Sequence, residues 1–108
     1  MQLFTTMKQT ERIEQMEQML NQVNNAAHQL EAALDQYEQA QEAVKALKDY
    51  YGSDEWKKDF ADDEAGRLPK DLKRGVLSED GAWNALSLCR ELNERMKEII
   101  ETTQQLTQ

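Results

Sequence analysis

The chain has 108 residues, 39% of them apolar and 31% charged, with a formal net charge of -8. That length supports one modest core, and the acidity argues against nucleic acid and anionic membrane surfaces as partners. Gln, Glu, Leu, Ala and Met outnumber β-branched residues, a mix that favours an all-α fold.

From the N-terminus, Ile13, Met16, Leu20, Val23, Ala27, Leu30, Leu34, Tyr37, Gln41 and Val44 recur at alternating steps of three and four. This is a heptad pattern with one polar exception, Gln41, and it predicts a helix from about Thr6 to Tyr50, roughly 65 Å long. Gly52 can take the left-handed conformation that closes it. Met7 is a second candidate start.

All four glycines and the only proline fall between Gly52 and Gly81, marking the middle as a connector. Within it Ser53 can cap a short helix carrying Trp56 and Phe60 four residues apart on one face, and Asp62 to Ser78 reads mostly as loop. Five of the seven aromatic residues (Tyr50, Tyr51, Trp56, Phe60, Trp83) lie in or beside this stretch, so it is expected to be structured.

Ser78 then caps a last helix of about 27 residues, in which Trp83, Leu86, Leu88, Cys89, Leu92, Met96, Ile99 and Leu106 form an apolar face. Gly81 should weaken its first turn slightly. The expectation is one helical domain over 1–108: a long helix within 1–52, a connector with a short helix over 53–78, and a C-terminal helix over 79–108. The two long helices would form an antiparallel hairpin.

A returning helix of that length leaves the early stripe bare. Ile13, Met16, Met19, Leu20 and Val23 are therefore candidates for self-association, with a homodimer expected. The alternative is a break near Asn24 and Asn25 that folds the segment back into a three-helix monomer, against which the unbroken heptad phase argues.

Catalytic chemistry finds little purchase. The only His and Cys, His28 and Cys89, are one conceivable base and nucleophile, but a flanking histidine and a buried thiol explain them more simply. A carboxylate-bridged metal site needs Glu three residues before His28, where Asn25 stands. Asp59, Asp62, Asp63 and Glu64 lack the alternation of a calcium loop, and the isolated glycines form no phosphate-binding signature. No enzyme, cofactor, metal or small-molecule substrate is expected.

The stretch Arg67 to Arg74 is locally basic, with Arg67, Lys70, Lys73 and Arg74 set against Asp71. It can bind a partner's acidic patch or pair with Asp62, Asp63 and Glu64 to hold the loop down. Glu11, Glu14, Glu17, Glu31, Asp35, Glu38 and Glu42 line one side of the first helix, as a nucleic-acid-mimicking inhibitor of a basic enzyme would require. An ordinary solvated helix face looks the same.

The run DYYGSDEWKKDFADDEAGRLPKDLKRGVLSEDG from Asp49 resembles the bacterial domain of unknown function 4298 family. The resemblance extends from about Arg12 to Ile100 and is most specific over Leu68 to Leu77. It implies a short, helix-rich bacterial protein without active residues to carry over. The expected function is a cytoplasmic, non-enzymatic protein-interaction module that dimerises through the early stripe. Its candidate partner-binding residues are Tyr51, Trp56, Arg67, Lys73 and Arg74, since aromatics and arginines dominate binding energy. A mimic of nucleic acid is the alternative.

Overall fold

The computed structural model describes residues 8–106, which are helical with short turns between, and no strand occurs among them. Four α-helices follow in order: α1 (Gln9–Gln39), α2 (Gln41–Tyr50), α3 (Asp54–Glu64) and α4 (Gly81–Thr103). Single 3-10 turns lie at Gly75–Leu77 and Gln104–Leu106. The chain divides into two compact units, one ending at Gln41 and one beginning at Glu42.

The first unit is α1, 31 residues without Gly or Pro, or about 46 Å of helix. Lys8 at its N-cap makes no side-chain cap bond, and none of its residues is buried. Helix-forming residues rather than caps or packing therefore specify it. The expected start at Thr6 lies outside the described residues.

The long helix does not run unbroken to Tyr50. Ala40 stands between α1 and α2 with ψ at -7°, and its N–H reaches the carbonyls of both Gln36 (3.1 Å) and Tyr37 (3.2 Å). Gln41 Nε2 donates to the Tyr37 carbonyl at 2.9 Å. A side-chain amide thus competes for an acceptor that the helix ladder would use, and the turn tightens there. The polar exception in the heptad pattern sits at this step.

The second unit is held by its turns. Gly52 closes α2 with φ at +81°, and Ser53 caps α3 by accepting from the Trp56 N–H at 3.1 Å, with Asp54 and Glu55 in the first turn. α3 ends in a Schellman turn: Gly66 N–H bonds the Asp63 carbonyl, Arg67 N–H bonds the Asp62 carbonyl, and Gly66 takes φ of +71°. The expected loop over Asp62 to Ser78 is thus helix as far as Glu64 and 3-10 at Gly75–Leu77.

α3 and the start of α4 both pack on the 3-10 turn, and the core sits there: among the described residues Leu77, Ala82 and Leu86 are the buried apolar side chains. The last helix starts at Gly81 rather than directly after Ser78. The Ser78 hydroxyl donates to the Gly75 carbonyl at 2.7 Å and accepts from the Gly81 N–H at 3.0 Å, so it anchors the helix from three residues upstream. Gly81 is no mere weakness in that turn. A Cβ there would collide with the Gly75 carbonyl oxygen and stand 2.6 Å from Ser78 Oγ, so only glycine lets α4 approach the turn this closely.

Candidate functional site

Two surfaces emerge, one in each unit. In the second unit Ser53 orients the first turn of α3 so that Trp56 meets Tyr51 edge-on, with ring centroids 5.1 Å apart, and stacks on Phe60 at 5.2 Å. Trp56 Nε1 donates to the Val76 carbonyl at 3.1 Å, and the Tyr51 hydroxyl reaches the Glu79 carbonyl at 3.4 Å. Trp56 therefore clamps the 3-10 turn against α3, while Tyr51, just before α3, reaches the segment that leads into α4. Tyr50, next in the chain to Tyr51, donates its hydroxyl proton to Asp59 Oδ2 at 2.5 Å. That bond, then partial burial and the carboxylate's charge, push the phenol up to about 12.

The basic loop is largely committed within the chain. Arg67 pairs with Asp62 at 3.1 Å, and Arg74 pairs with Asp63 at 2.8 Å while its other nitrogen lies 3.5 Å from the Lys70 carbonyl. The structure thus brings Tyr51 and Trp56 together and ties down Arg67 and Arg74. Lys73 is exposed and enters no ion pair among the described residues.

Close by is a feature that the sequence reading missed. An open apolar hollow of about 330 Å³ is lined by Leu47, Gly75, Val76, Gly81 and Ala82. Gly75 carries no side chain to fill it, and a Cβ there would meet only open space. The spacing of two glycines six residues apart beside Val76 and Ala82 was the available signal.

The second surface is the stripe of α1. Ile13 is 53% exposed, Leu20 51% and Val23 64%, with Met16 and Met19 also exposed. Exposure continues through Leu30 and Leu34, further along the helix than the sequence implied.

His28 is exposed, with Nδ1 4.0 Å from the Glu31 carboxylate. Cys89 is half-buried on α4. Among the described residues no group of three or more His, Cys, Asp or Glu side chains is placed to hold a metal ion. No helix there is long and apolar enough to cross a membrane.

In comparison with known families, the model of the family described as Domain of unknown function (DUF4298) fits residues 13–102. No curated protein and no solved structure matches the chain.

Proposed function

The chain belongs to the DUF4298 family, and we propose that it is a non-enzymatic protein–protein interaction module, self-associating through α1 and docking a partner protein through its connector. The observation that carries this reading is a heptad stripe on a 31-residue helix with no buried residue. Helices in water draw most of their stability from packing an apolar face, and a contiguous exposed patch of this kind ordinarily belongs to an interface.

On the connector, the docking surface comprises Lys73 and the apolar hollow beside Val76, framed by Tyr51, Trp56, Arg67 and Arg74. The four framing residues make internal contacts, so their part is to hold the surface in shape. A bacterial, cytoplasmic setting belongs to the same proposal and is supported by the family resemblance and the single cysteine.

Sedimentation of the full chain tests the first half. Wild type should sediment as a dimer, and Leu20→Asp with Val23→Asp should yield a monomer whose tryptophan fluorescence is unchanged. Both tryptophans lie in the second unit, so their signal reports on the fold of that unit. A wild-type chain that stays monomeric at high concentration overturns self-association. For the second half, Lys73→Ala should reduce capture of the partner without altering the melt, and equal capture would remove Lys73 from the surface.

A further inference from the structure

The residues flanking the α1 stripe specify its occupant. With Ile13 at heptad position a, the a series continues through Leu20, Ala27 and Leu34, while Met16, Val23 and Leu30 occupy d. Position g then holds Arg12, Met19, Ala26 and Ala33, and position e holds Glu17, Asn24, Glu31 and Glu38. One flank is acidic and the other mostly small or apolar.

That asymmetry discriminates between orientations of a second α1. In an antiparallel pair e faces e and g faces g, so most registers would set Glu against Glu along one edge. In a parallel, in-register pair each g faces the e position of the following heptad on the other copy. Arg12 then meets Glu17, while Glu31 and Glu38 lie across Ala26 and Ala33, whose small side chains leave room for the glutamate stems. No like charges meet. Among the described residues Arg12, Glu17 and Glu38 enter no ion pair within the chain.

We propose that the occupant of the stripe is α1 of a second copy, packed parallel and in register, with Arg12 of each copy paired to Glu17 of the other. This rests on the self-association reading above and adds the partner's identity and direction. A single charged pair at one end, repeated by symmetry, sets the register, and the glutamates at e exclude the reversed arrangement.

Cross-linking of the full chain in a Cys89→Ser background separates the possibilities. Met16→Cys and Leu34→Cys are 18 positions apart, roughly 27 Å along the helix. A parallel, in-register pair makes each variant link to itself and gives no mixed product when the two are combined. An antiparallel pair gives the reverse, a mixed product and no self-links, and overturns the proposal. A dimer showing neither pattern places the seam elsewhere, also overturning it while leaving self-association intact. A monomer by sedimentation defeats both readings. The charge pair has its own check: Arg12→Glu should weaken the dimer roughly threefold to tenfold, and adding Glu17→Arg should restore it. No weakening by Arg12→Glu would remove the register.

Discussion

The 31 residues of α1 contain no buried side chain, whereas the unit from Glu42 onward buries Leu77, Ala82 and Leu86 around one 3-10 turn. Both regions are rich in helix-forming residues. The difference lies in their breakers: the second unit holds every glycine and the proline, and its chain can turn back on itself. An uninterrupted helix cannot cover its own stripe, however regular that stripe is. Strong local propensity thus yields a helix whose apolar stripe stays exposed, while the irregular backbone between α3 and α4 yields a small core. Perturbing that core should change tryptophan fluorescence and leave the proposed self-association of α1 alone.

The largest expected effect of this kind is at Trp56. Trp56→Ala removes the Tyr51 and Phe60 ring contacts and the bond to the Val76 carbonyl, and should cost about 3 kcal/mol, at the low end for a tryptophan because the ring is half-buried. Urea unfolding followed through Trp83 measures it. If stability is unchanged and partner capture is lost, Trp56 is a docking residue and the clamp has been misassigned.

Gly81 sharpens the comparison because two arguments predict opposite signs. Propensity alone says that Gly81→Ala stabilises a helix by up to about 1 kcal/mol. The collision with the Gly75 carbonyl oxygen and Ser78 Oγ instead predicts a loss of about 2 kcal/mol, since backbone as well as a side chain must move. A stabilised variant in the same urea experiment would show that α4 does not approach the turn so closely.

Those opposing signs also show how far the sequence could be read. The all-α class, the Ser53 cap and the Trp56–Phe60 face are local features, visible as residue spacing. The break at Ala40 was not visible, because alanine is the best helix former and the tightening involves the Gln41 amide reaching Tyr37. Gly81 was misread for a similar reason. Its role depends on where the 3-10 turn places the Gly75 carbonyl, which spacing along α4 does not encode. The basic loop was legible as charge, and the internal pairing of Arg67 and Arg74 with Asp62 and Asp63 was weighed there as one of two outcomes.

The smallest effect is at Tyr50, and it comes with a pH signature. A phenol donating to the Asp59 carboxylate is held protonated, so its folded value of about 12 lies above the ordinary tyrosine range near 10. A group raised on folding lends its stability in full below the unfolded value and loses it as pH climbs through the folded one. Tyr50→Phe should therefore cost about 1 kcal/mol at neutral pH. The gap from wild type should hold to about pH 10 and then close toward pH 12, while groups common to both chains titrate equally. A gap that persists undiminished at pH 12 would mean that the hydroxyl acts through packing and not through its proton.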